Sequence, residues 1–157
     1  MIIAREFTKE DVPQLLELMR GLARYEGYID DFKVSEDDLV ENGLNQNPLF
    51  KAFVVHVDKS TNLLGMAVTY ITPWTYTMRP NLVLKELFVK ESARGSNVGH
   101  ALMDAVVKQA KSISANEIQW LVLGNNHKAQ KFYSKLGGKH NNQWQIWDMD
   151  AMAMNFV

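Results

Sequence analysis

The sequence predicts an α/β domain, one mixed β-sheet with helices on both faces, and three observations carry the prediction. Runs of β-prone residues alternate with amphipathic helical stretches in the order βααβββαβαββ, a pattern that buries helix stripes against a sheet. The chain has 157 residues, the size of one domain, and folding at that length hides roughly two thirds of the surface of the unfolded chain. No linker, repeat or low-complexity tract interrupts it, so residues 1–157 read as a single domain.

The elements follow in order. Residues 2–7 alternate as a short strand, and Thr8 then caps a helix with Asp11 three residues on, the spacing of a capping box. Val12, Leu15, Leu16, Met19, Leu22 and Ala23 recur at i, i+3, i+4 and form the apolar stripe of that helix. The stretch from Tyr25 to Glu41 is acidic, and Ser35 caps a second short helix that Gly43 ends. Its acids fit two readings: a solvated face, or a wall that attracts cationic substrates. Lys51 to Val57 and Leu63 to Ile71 form a hairpin around the turn Asp58 to Asn62. Leu82 to Val89 is a further strand, and the helix carrying Val98, Ala101, Leu102, Ala105 and Val106 opens after the loop from Arg94 to Gly99. Glu117 to Leu123 is β-prone, a last helix presents Ala129, Phe132, Tyr133 and Leu136 before Gly137 and Gly138, and short strands at Gln145 to Met149 and Met152 to Val157 close the chain.

Composition excludes several classes of function. The formal net charge of −1 lacks the strong basic balance of most nucleic-acid-binding domains, so no nucleic-acid partner is expected. No apolar run approaches the ~20 residues of a membrane span, and charge at Arg5 and Glu6 comes too early for a secretory signal. A cytoplasmic location, away from membranes, is the expectation. The absence of cysteine removes disulfides, zinc thiolates and acyl-cysteine intermediates. The four histidines, His56, His100, His127 and His140, show no ligand spacing, and no structural metal is expected.

The informative segment runs through Leu87, Phe88 and Val89 into Ala93, Arg94, Gly95, Ser96, Asn97, Val98, Gly99 and His100: a strand, a glycine-bearing loop and a helix start. Backbone N–H groups at a helix start lack intrahelical acceptors and lie at the positive end of the macrodipole, so the loop suits a pyrophosphate. A GxGxxG signature and the Gly-Lys-Ser/Thr ending of a Walker motif are both absent. A glycine turn of purely structural purpose is the competing reading.

Here the chain resembles the GNAT N-acetyltransferases, whose acetyl-CoA loop has the form Arg/Gln-x-x-Gly-x-Gly/Ala ahead of a helix. Arg94 and Gly99 fill the first and last places, and Asn97, a residue tolerant of positive φ, stands for the middle glycine. Within that family it is most similar to the spermidine/spermine and thialysine acetyltransferases, through Leu22-Ala23-Arg24-Tyr25-Glu26, Pro73-Trp74, Leu84-Lys85-Glu86-Leu87-Phe88-Val89, and Asn126 with Phe132-Tyr133. The resemblance implies a single domain on a mixed, mostly antiparallel sheet, and acetyl-CoA as co-substrate. It places the pyrophosphate on Arg94 to Gly99 and pantetheine on the backbone of Leu87 to Val89, with His100, Asn126 and Phe132 also at the cofactor. It further implies a homodimer, in which the apolar run Met152 to Val157 is suited to pair.

Chemical need assigns the remaining roles. An alkyl amine with a pKa of ~10.4 is mostly protonated at neutral pH, so attack on a thioester, through a tetrahedral intermediate, needs a base. Glu86 stands where the resembling enzymes carry an acid that serves the amine; the bland reading is a surface or ion-paired strand residue. Tyr133 matches the family's acid for the departing thiolate, and its bland reading is a core aromatic. Tyr25 and Trp74 suit an aromatic groove for an ammonium group, with Glu26, Asp30 and Asp31 adding attraction. The polyamine enzymes carry acids where this chain has Thr72 and Lys85. The acceptor is therefore a polyamine-like, thialysine-like or other small primary amine, with a protein or peptide amine, or a non-catalytic acyl-CoA-binding module, as the alternatives.

Overall fold

The computed structural model describes residues 1–152, and they fall into two compact units, Met1–Leu121 and Val122 onward. The first unit holds the sheet. Its strands are β1 (Ile2–Glu6), β2 (Lys51–Val57), β3 (Leu63–Thr72), β4 (Asn81–Val89) and β5 (Ile118–Trp120), hydrogen-bonded in that order. The first four are antiparallel neighbours, and β5 runs parallel to β4. The helices of this unit are α1 (Val12–Glu26), α2 (Glu36–Gly43) and α3 (Val98–Ser112), the last of which makes the β4-to-β5 crossover that a parallel pair requires.

The pleat sorts the core into two layers. Ala52 and Val54 of β2 and Met66 and Val68 of β3 join Leu15, Leu18, Met19 and Leu22 of α1 in one apolar cluster. The alternate residues face α3: Thr69 Oγ1 donates to Gln109 Oε1 of that helix at 2.7 Å, and a Cβ on Gly65 would lie 3.1 Å from Val98 Cγ1. Ala52 to Val55 are buried in succession because both sides of β2 are covered.

Local chemistry sets the entrance and exit of α1. Asp11 Oδ2 accepts from Thr8 N–H at 2.8 Å, and Arg5 grips the same carboxylate through both terminal nitrogens, at 2.5 and 3.0 Å. The capping box forms as the sequence predicts, on a 3-10 turn at Lys9–Asp11 that leads into α1. At the far end Gly27 takes φ 86°, and the N–H groups of Gly27 and Tyr28 both donate to Ala23 O at 2.9 Å, turning the chain back over the helix end. Ser35 caps α2 by accepting from Asp38 N–H.

The second unit contains α4 (His127–Lys135). The strand expected at Gln145 to Met149 does not form: Trp144, Ile146, Trp147 and Met149 are exposed, and the described residues of this unit offer no strand for a ladder. Alternation alone makes no strand without a partner for its backbone groups. The strand expected from Met152 to Val157 lies outside the described residues apart from Met152, which sits in a turn. Among the described residues no helix is long and apolar enough to cross a membrane.

Candidate active site

The site grows from an irregularity in β4. Val68 of β3 opposes Glu86, but the next residue, Thr69, opposes Leu84, so Lys85 is an extra residue in the ladder. A bulge of this kind re-aims the side chains that flank it. Leu84 shares the α3 face with Thr69, Glu86 shares the α1 face with Val68, and Lys85 itself is exposed. On its other edge β4 pairs with β5 only at Leu82, Val83 and Leu84. From the bulge to Val89, then, β4 has a strand on one side alone among the described residues. An open edge of this kind can bind an extended ligand as an added strand would bind, through main-chain hydrogen bonds. Phe88 keeps α1 close by, since a Cβ on Gly21 would meet its ring at 2.8 Å.

Glu86 is largely withdrawn from water. Burial pushes its carboxyl above the ordinary range, the nearby Glu26 pushes the same way, and Lys85 pulls it down. Its Oε2 is buried and has no hydrogen-bond partner among the described residues. Facing the same charge is Tyr28, half-buried, whose phenol is pushed up to about 12 by desolvation and by the carboxylates of Glu86 and Glu26. Tyr28 therefore stays protonated at neutral pH. Two carboxylates and a phenol in electrostatic contact form a place where a cation is favoured, and where a carboxylate raised by burial is a better proton acceptor than one in water.

Beyond β4 the chain makes a 3-10 turn, Glu91–Ala93, then the loop that opens α3. Gly95 has φ 80° and Asn97 has φ 65° and ψ 6°, both left-handed. Asn97 thus adopts the conformation for which the middle glycine of the motif is suited, and its tolerance for positive φ is used. Ala101 N–H is bonded to Asn97 O at 3.0 Å, and the first turn of α3 carries no acid that would neutralise its positive end. A Cβ on Gly95 would meet nothing within 4 Å, so the loop is open to an approaching ligand. Val98 points inward, 1% exposed, so only its backbone is available to a ligand; Gly99 is half-buried and His100 exposed. Arg94 Nε donates to Val89 O at 3.2 Å, and its Cζ lies 5.5 Å from the centre of the Tyr25 ring. Open left-handed positions, a helix N-terminus and an arginine together fit the pyrophosphate of a coenzyme A thioester.

Of the residues expected around an acceptor, Glu26 ends α1 beside Glu86 and Tyr28, while Tyr25 is in contact with Arg94. Trp74 lies in the β3–β4 connection, 71% exposed. In the second unit Asn126 caps α4, its Oδ1 accepting from Ala129 N–H at 3.1 Å, and the Phe132 and Tyr133 rings meet edge to face at 5.3 Å. Both rings are half-buried. Sequence reasoning missed Tyr28, which belongs to no motif; its one signal was the glycine before it, which turns the chain at the end of α1.

The sequence profile of the acetyltransferase (GNAT) family matches residues 13–138. A thialysine N-epsilon-acetyltransferase from Sus scrofa is 28% identical over 152 residues, covering 93% of this chain and 89% of the relative. A spermidine/spermine N(1)-acetyltransferase-like protein from Homo sapiens is 24% identical over 88% of this chain and 21% of its own length. Among solved structures, an aminoglycoside acetyltransferase from an uncultured soil metagenomic sample superposes with a TM-score of 0.77 at 18% identity, covering 94% of this chain and 95% of that one.

Proposed function

The chain belongs to the acetyltransferase (GNAT) family and is an acetyl-CoA-dependent N-acetyltransferase, and from that premise we propose that it acetylates the primary amine of a small cationic molecule, with Glu86 receiving the amine's proton. One observation carries this reading: the buried Glu86 carboxylate, with an oxygen left unpartnered, sits just past the β4 bulge, where the open edge of the strand begins. When bound, acetyl-CoA supplies a thioester whose carbonyl carbon an unprotonated amine attacks.

The chain's own residues do the rest. Glu26 and Glu86 attract the ammonium form by their charge. Glu86 then takes the proton, directly or through a water, since its carboxyl is held above the ordinary range by burial. Tyr28, protonated throughout, offers a donor at the edge of the same cluster. A backbone N–H on the free edge of β4 stabilises the developing oxyanion, and the Tyr133 phenol gives its own proton to the leaving thiolate and regains one from water. Arg94 and the amides of the loop hold the pyrophosphate.

The deciding experiment is a thiol-release assay with acetyl-CoA across thialysine, polyamines, aminoglycosides and basic peptides. Turnover of a small primary amine is expected. Turnover of peptides alone moves the acceptor to a protein amine, and binding of acetyl-CoA without any turnover makes the chain a non-catalytic module. Two substitutions test the cofactor loop in a calorimetric titration with acetyl-CoA. Arg94→Ala weakens binding about tenfold, the worth of charge-assisted hydrogen bonds to phosphate. Asn97→Gly tightens it, because glycine takes the same left-handed conformation without a side chain beside the phosphates. Unchanged affinity in the first variant, or weaker affinity in the second, overturns the corresponding assignment.

A further inference from the structure

Tyr25 ends up in a place that an acceptor groove does not explain. It lies in the last turn of α1 with 53% of its surface exposed, so packing does not account for its ring. What the ring does touch is Arg94, whose guanidinium carbon lies 5.5 Å from its centre. An arginine at that separation is held by cation–π attraction. Arg94 is anchored a second time, through Nε–H donating to Val89 O at 3.2 Å. The two anchors come from different elements, the end of α1 and the end of β4, and they leave Nη1 and Nη2 without a hydrogen-bond or ion-pair partner among the described residues. A free arginine side chain has rotamer entropy that phosphate binding must overcome. One already fixed along its stem, with its terminal N–H groups open, loses much less.

We propose that Tyr25 is a positioning residue for the cofactor: its ring is the platform that holds the Arg94 guanidinium with both terminal nitrogens presented to the pyrophosphate of acetyl-CoA. The inference rests on the assignment of the loop from Arg94 to Gly99 to that pyrophosphate. It moves Tyr25 from the acceptor groove expected from the sequence to the cofactor side. It also makes the end of α1 two-sided, with Tyr25 serving the cofactor loop, and Glu26 and Tyr28 serving Glu86.

The test is a calorimetric titration with acetyl-CoA of Tyr25→Ala, Tyr25→Phe, Arg94→Ala and the Tyr25→Ala/Arg94→Ala double variant, with melting temperatures as a folding control and steady-state kinetics alongside. Tyr25→Ala weakens acetyl-CoA binding about fivefold, the size of an exposed cation–π contact. Tyr25→Phe, which keeps the ring, restores the affinity. In the Arg94→Ala background, removal of the ring has no further effect, because the group it positioned is gone. The kinetic loss falls on KM for acetyl-CoA rather than on kcat or on the acceptor's KM. If Arg94→Ala weakens binding and Tyr25→Ala does not, the platform is wrong and the cofactor loop stands. If Arg94→Ala itself has no effect, the loop assignment fails and the platform with it. Equal losses from Tyr25→Ala in both backgrounds, or a loss confined to the acceptor's KM, also overturn the proposal.

Discussion

Glu86→Gln lowers kcat about 100-fold at neutral pH and raises the melting temperature. Both effects follow from the burial of one carboxylate. Its folded-state pKa lies above the ordinary 4.5 because desolvation disfavours the charged form. A group raised in this way stabilises the fold fully below pH 4.5 and loses that contribution as pH rises through the folded value, where the protein must bury an ionised group that water would solvate in the unfolded chain. Glutamine has nearly the same shape and no charge, so the variant is more stable than wild type at neutral pH, and the difference closes on acidification. The activity loss has the opposite sense on the alkaline side. It shrinks above the pKa of the amine, about 10.4 for an alkyl ammonium, where free base is abundant and a proton acceptor is no longer needed. Initial rates between pH 6 and pH 11, with thermal melts at pH 4 and pH 7.5, check both. A rate loss that is uniform with pH makes Glu86 a binding group for the ammonium rather than its base.

Tyr133→Phe reduces kcat between about 10- and 1,000-fold with little change in stability or acetyl-CoA affinity. The substitution keeps the ring and its edge-to-face pair with Phe132, and deletes the hydroxyl alone. Single-turnover measurements separate the chemical step from product release and so show whether the lost rate belongs to proton delivery. Full kcat in the phenylalanine variant reduces Tyr133 to packing. The thiolate then leaves unaided or with a proton from water, as a thiol of pKa ~8.5 permits.

Much of the fold was legible in the sequence where a rule is local. The capping box at Thr8 with Asp11 and the helix cap at Ser35 rest on hydrogen bonds three residues apart, and both form. The stripe from Val12 to Ala23 and the strands from Lys51 to Val89 appear almost at the predicted bounds, because one buried face imposes its period on the residues that line it. The left-handed Asn97 was legible for the same reason, since the conformation is a property of one residue in one turn. The run at Gln145 to Met149 shows the limit of such rules: alternation describes a surface, and a strand also needs an edge to pair with.

The sequence by itself determined the family, the order of the main elements and the loop from Arg94 to Gly99, all of which rest on neighbours along the chain. Only the tertiary structure decided that Lys85 is the extra residue in β4, that β5 stops pairing at Leu84, and that Glu86 is buried beside Glu26 and Tyr28. It alone set Arg94 over Tyr25, 69 positions away along the chain by the difference of their numbers. Register, desolvation and contact between distant side chains depend on which surfaces meet once helices pack on a sheet, and residue spacing carries no information on that.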